Sequence, residues 1–210
     1  MKPAGIPIAA AIAAGTILAA LFAGTPVEGK PRALPVGSVM PDFALTDSGG
    51  KEHILSALAG KVVVLDFLSQ TCPYSRGSAA YLSELAREYA QKGVVFLGVD
   101  SHKSTTHAEN AAYKKKAGIP YPILRDERNA YADAVGATRT PEIYLIDKSG
   151  TLVYQGAVDD RKVPTELGET PYLKNALDEV LAGKSVSTPH VSAWGCSIKR
   201  LAKRPPAAGK

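Results

Sequence analysis

Apolar positions along the chain alternate between two kinds of run. Val62-Val63-Val64-Leu65-Asp66-Phe67 and Val94-Val95-Phe96-Leu97-Gly98-Val99-Asp100 are short, nearly continuous apolar stretches rich in valine. Such runs predict strands covered on both faces. Between them, from Ser75 to Lys92, Leu82, Leu85, Ala86 and Tyr89 recur at spacings of three and four, and Gly93 follows. That is the period and the stop of an amphipathic helix. A second helix is predicted over His107–Ala117, ended by Gly118-Ile119-Pro120.

The remaining pattern is shorter. Pro41-Asp42-Phe43-Ala44-Leu45 followed by Asp47-Ser48-Gly49-Gly50 reads as a brief strand and a turn. Tyr121–Arg125 is too short to assign by period, and Asn129–Val135 fits one or two helical turns. Ile143–Asp147 and Leu152–Gln155 read as a hairpin about Lys148-Ser149-Gly150. Pro171–Leu181 reads as a final helix, with Tyr172, Leu173, Ala176, Leu177, Val180 and Leu181 inward. The order βαβ, a connecting helical region, then ββα predicts an α/β fold: a mixed central sheet with helices on both faces.

The two ends change the picture of where this domain works. Residues 1–24 hold Lys2, an 18-residue apolar run from Ile6 to Ala23, and a small-residue exit. This is the layout of a signal peptide, and the run also reaches the length of an N-terminal membrane anchor. Both predict an exported domain, periplasmic or extracellular, with residues 1–23 as a possible membrane tether. Residues 25–36 read as a linker, 37–183 as the domain, and 184–210 as a basic tail carrying Cys196. Six of the 25 basic residues lie after Gly183 with no acid among them, leaving 19 against 20 acids in the rest. The net charge of +5 therefore belongs to the tail, and no nucleic-acid partner is implied.

Candidate chemistry centres on Cys72. It stands between a buried strand and a helix that begins with Pro73, among unpaired N–H groups at the positive end of the helix. That setting favours the thiolate, the reactive form of cysteine. The competing reading is a small buried hydrophobe. The histidines, His53, His102, His107 and His190, lack metal-ligand spacing, so no metal is expected.

Val64-Leu65-Asp66-Phe67…Thr71-Cys72-Pro73-Tyr74-Ser75 resembles the active-site strand and turn of the thioredoxin fold. Thr138-Arg139-Thr140-Pro141-Glu142-Ile143 resembles its cis-proline segment. Pro41-Asp42-Phe43-Ala44-Leu45, Val158-Asp159-Asp160 and Gly195-Cys196-Ser197-Ile198-Lys199 add a likeness to the peroxiredoxin-like branch of the alkyl hydroperoxide reductase/thiol-specific antioxidant (redoxin) family. The resemblance implies a thiol oxidoreductase needing no cofactor, with a peroxide or a thiol/disulfide protein as partner. It makes Cys72 the nucleophile, Asp66 a buried proton acceptor, and Thr140-Pro141 a cis peptide whose Thr140 backbone meets bound peptide. Pro73 and Tyr74 would face substrate, and Ser69 and Ser75 would supply hydroxyls near the thiolate.

The chain also departs from the family. Ser75 fills the second position of Cys-x-x-Cys, Leu65 the proline position of a peroxidase loop, and Pro141 the position of its arginine. Cys196 is then the one internal thiol left to resolve an intermediate on Cys72, either as a resolving cysteine or as half of a static staple. The alternatives are a redox-inert peptide-binding module on the same fold and a copper carrier, for which Arg76 occupies the second cysteine position.

Overall fold

The computed structural model describes residues 33–202. The apolar run Ile6–Ala23 lies outside these residues, as do most of the linker and the last basic residues of the tail. Among the described residues no helix is long and apolar enough to cross a membrane.

The strands are β1 (Ala44–Asp47), β2 (Glu52–Ile54), β3 (Val62–Phe67), β4 (Val94–Asp100), β5 (Ile123–Arg125), β6 (Arg139–Thr140), β7 (Glu142–Ile146), β8 (Leu152–Gly156) and β9 (Cys196–Ser197). The helices are α1 (Pro73–Ala90), α2 (His107–Ala117), α3 (Ala130–Val135) and α4 (Tyr172–Leu181). Seven strands form one sheet in the order β2-β1-β5-β4-β3-β7-β8, and β6 pairs with β9 in a small second sheet. Strands β3, β4 and β5 run parallel, while β7, β8, β1 and β2 join them antiparallel. The fold is thioredoxin-like, with the predicted mixed sheet.

Alternation along β3 sorts the core into two layers. Val62 and Val64 face Leu82, Leu85 and Tyr89 of α1 and Leu173 and Leu177 of α4. Val63, Leu65 and Phe67 face the other way, onto Tyr131, Ala132 and Val135 of α3. A strand apolar at every position is therefore one with helices on both sides. Helix α2 starts with a capping box, in which the Thr106 hydroxyl takes the Glu109 N–H and the Glu109 carboxylate takes the Thr106 N–H.

Two local readings shift, and a third segment takes a definite place. The first strand begins at Ala44 rather than Pro41, because the Asp42 carboxylate binds Ser56 and the Phe43 N–H and holds that stretch as a loop. In α4 only Leu173, Ala176 and Leu177 are fully buried, while Tyr172, Val180 and Leu181 are half-covered at the core's margin. The tail, aperiodic as sequence, runs back across the domain. Its Pro189 carbonyl takes the Gln155 N–H at 3.0 Å, and its Val191 N–H binds the Gln155 carbonyl at 3.1 Å. A side chain at Gly156 would stand 1.8 Å from the Val191 carbonyl, so the edge strand β8 accepts the tail there because it has none.

Candidate active site

The end of β3 and the start of α1 hold the site. Cys72 is the N-cap of α1 with extended backbone (φ −84°, ψ 121°), and Pro73 begins the helix. The turn before it is closed by its own polar groups. The Ser75 hydroxyl accepts the Ser69 N–H at 3.2 Å, the Ser69 hydroxyl pairs with that of Thr71 at 2.9 Å, and the Cys72 N–H binds the Ser69 carbonyl. Both serines are buried, and their hydroxyls fasten the turn that ends at Cys72. Ser75 also offers its backbone N–H to Cys72.

The Thr140–Pro141 bond is cis, as in the segment it resembles. The Cys72 thiol donates to the Thr140 carbonyl at 2.9 Å. On the other side of Thr140 lies the tail, with Thr140 and Cys196 as direct antiparallel partners in the β6–β9 pair. The edge expected to be open to a peptide is thus occupied by the chain's own Cys196 segment. This pairing sets Cys196 beside Cys72, and both cysteines are free thiols.

The shared contact divides the two thiols. Burial works against a Cys72 thiolate, but donors from the Cys196 side chain, the Ser75 N–H, Thr140 and the Cys196 N–H outweigh it and lower the Cys72 pKa. Cys196 moves the other way, to about 11, through burial and then through donation to the negative sulfur beside it. Cys72 is only 1% exposed with the tail in place.

Asp66 lies one strand position before Phe67, among apolar neighbours on the α1 side of the sheet. Burial raises its pKa to about 7, with a single opposing hydrogen bond, from the Tyr121 hydroxyl at 3.1 Å. Its Oδ1 has no partner. Backbone donors at a strand end do not satisfy it. Tyr121 comes from the segment that could not be assigned by period, and only the parallel pairing of β5 beside β4 brings that segment near β3.

Around this centre the tail is clamped at several points. Trp194 packs on Tyr74 with ring centroids 5.3 Å apart, donates to the Asp159 carbonyl at 2.7 Å, and lies 5.2 Å beneath the Arg161 guanidinium. Arg161 is itself paired with Asp159 at 2.6 Å, both buried. Tyr74 therefore touches the tail, and Pro73 is exposed at the head of α1. Arg139, the arginine nearest the peroxidase position in sequence, directs its guanidinium to the Ser197 hydroxyl and the Gly195 carbonyl. Beyond Cys196, the Ile198 N–H binds the Thr138 carbonyl and the Lys103 N–H binds the Lys199 carbonyl. Arg200 pairs with Asp133 at 2.6 Å. The Asp159–Arg161 clamp carries no helical or strand period that would mark it in advance.

A cis-proline loop facing a helix-capping cysteine on a mixed sheet defines a thioredoxin-fold thiol oxidoreductase. Comparison with known proteins agrees. The Redoxin family pattern matches residues 35–176, and the chain belongs to that family. The thiol-disulfide oxidoreductase ResA of Geobacillus thermodenitrificans is 35% identical over 118 residues, which is 56% of this chain and 67% of that protein. ResA of Bacillus subtilis is 29% identical over 138 residues, covering 66% and 73%. Among solved structures, a hypothetical protein from Sinorhizobium meliloti 1021 superposes with a TM-score of 0.76 at 31% identity, covering 81% of this chain and 97% of that one.

Proposed function

We propose that the protein is a two-cysteine thiol-disulfide oxidoreductase in which Cys72 attacks and Cys196 resolves. The observation that carries this reading is the Thr140–Cys196 pairing, which delivers the second thiol to the first without a Cys-x-x-Cys motif.

The Cys72 thiolate attacks one sulfur of a client disulfide. A mixed disulfide forms, and the other client sulfur leaves as a thiolate. Cys196, once deprotonated, attacks the Cys72 sulfur, releases the client's second thiol and leaves a Cys72–Cys196 disulfide. Two electrons pass from the enzyme dithiol to the client, and an external dithiol restores the enzyme. Asp66, titrating near 7 behind the turn, is the proposed acceptor for the proton that resolution must lose. Thr140 and Pro141 form the edge against which the reacting segment lies, and Pro73 and Tyr74 border it.

Disulfide chemistry is favoured over peroxide reduction because Arg139 is committed to the tail backbone and Leu65 stands where a peroxidase loop has proline. The ResA relatives, named thiol-disulfide oxidoreductases, support the same choice. The apolar run Ile6–Ala23 supports an exported or membrane-tethered location, which cell fractionation tests.

Mass spectrometry after one equivalent of a peptide disulfide tests the cycle. Wild type should give a Cys72–Cys196 bond and two free peptide thiols, and Cys196→Ser should stop at a Cys72–peptide adduct. Rapid crosslinking by hydrogen peroxide with none by the disulfide would reassign the protein as a thiol peroxidase. Absence of any crosslink would discard the two-cysteine scheme.

A further inference from the structure

The site as it stands is closed. Cys72 is buried, and the strand that buries it sits on the same Thr140 edge a client peptide needs. The tail's hold on that edge is specific residue by residue. Trp194, two positions before Cys196, fills the space bounded by Tyr74, Arg161 and the Asp159 carbonyl. Gly195 has φ +114°, and a Cβ there would stand 2.2 Å from the Thr140 carbonyl oxygen and 3.3 Å from the Pro141 ring. No side chain fits at that position. Ser197 is read by Arg139 at 3.1 Å. Ile198 is 6% exposed in the α3-side core, its N–H on the Thr138 carbonyl.

We propose that Trp194–Ile198 is an internal copy of the segment this site recognises, and that tail and client occupy the Arg139–Pro141 edge in alternation. The client is then a protein disulfide whose reacting cysteine follows an aromatic residue and a glycine and precedes a hydroxyl residue and an aliphatic one. This rests on the two-cysteine reading. The tail leaves the edge, and the client segment pairs with Thr140 while its disulfide is attacked by Cys72. The tail then re-pairs with Thr140, so that Cys196 reaches the Cys72 sulfur as the client strand is expelled. Recognition and release are one strand exchange, a form of β-strand addition in which backbone bonds bind and side-chain pockets select.

A dye-labelled peptide with the sequence of residues 192–200 and serine in place of its cysteine measures the groove without chemistry. Titrated by fluorescence anisotropy, it should bind full-length Gly195→Val at least about tenfold more tightly than wild type, whose own tail competes. Trp194→Ala, which loosens the tail without a clash, should give the same direction with a smaller change. Placing valine at the peptide's own glycine should abolish binding. Equal binding to all three proteins, or none to either variant, would overturn the proposal. Oxidative crosslinking of wild-type Cys72 to Cys196 is read separately, so a two-cysteine enzyme whose groove ignores this peptide remains distinguishable from a failed cycle.

Discussion

Cys72 and Cys196 carry the same thiol and stand against one another, yet they belong to different parts of the molecule. Cys72 is fixed by the sheet and helix that make the core, with its backbone capping α1 and its sulfur among converging donors. Cys196 is borne by a two-residue strand, held by backbone hydrogen bonds and by a neighbouring tryptophan. Their pKa values move apart, lowered at Cys72 and raised to about 11 at Cys196. The difference teaches that role follows placement. In the proposed cycle the cysteine in the rigid frame attacks, and the one on the tail strand holds its proton until the first has reacted.

The strongest break in that comparison is to remove each sulfur in turn. Cys72→Ser should lower disulfide-reducing turnover by about 10³-fold or more, as loss of a covalent nucleophile does. Cys196→Ser should also stop multiple turnover, but its first attack on a disulfide should survive as a stoichiometric burst of released thiol. Cys196→Ala should slow Cys72 alkylation at neutral pH, since it deletes the first of the donors that favour the thiolate. Stopped-flow thiol release and iodoacetamide kinetics against pH measure these outcomes. Equal bursts from both serine variants would erase the distinction.

Asp66 sharpens the comparison from the scaffold side. Its folded pKa, about 7, lies above the 3.8 of an ordinary aspartate, so the folded state binds the proton more tightly than the unfolded one. The stability this provides is complete below pH 3.8 and lost as pH rises through 7. Asp66→Asn, which keeps a partner for the Tyr121 hydroxyl, should therefore stabilise the protein at pH 8 by on the order of 4 kcal/mol. At pH 4 the gain should shrink towards zero. Urea unfolding at the two pH values measures it. The variant should also lose the inflection near 7 in the pH profile of resolution, which a merely structural carboxyl would leave in place.

How legible all this is from sequence follows the same division. The buried strands β3 and β4, the helices α1 and α2, and Cys72 at the helix start are written in apolar period, glycine stops and a proline at the first helical position. The partner of Asp66 is not, because Tyr121 meets it across a sheet whose strand order local pattern does not encode. The docked tail is least visible. Pro189, Val191, Cys196 and Ile198 hold on largely through main-chain bonds, which every residue type offers, so their side chains show little period. Gly195-Cys196-Ser197-Ile198-Lys199 stood out by family resemblance and as the site of the second cysteine, and the reason for its glycine is a close approach to Thr140 visible only in three dimensions. The Ser69 and Ser75 hydroxyls, which the family resemblance put near the thiolate, also close the turn before Cys72, a use that no local pattern announces.

Two milder substitutions separate a tail effect from a frame effect. Trp194→Ala removes the ring held between Tyr74 and Arg161, and should slow Cys72–Cys196 crosslinking about tenfold while costing about 2 kcal/mol of stability. Thr106→Ala removes the cap of α2, an exposed box distant in its bonding from either cysteine. It should cost about 1 kcal/mol, as loss of an N-cap does, and leave crosslinking and alkylation rates unchanged. The pair matters more than either member. A fall in crosslinking with Thr106→Ala equal to that with Trp194→Ala would mean that the reaction reports general stability. A fall with Trp194→Ala alone locates the effect in the docked strand, because only that change alters how often Cys196 lies against Cys72.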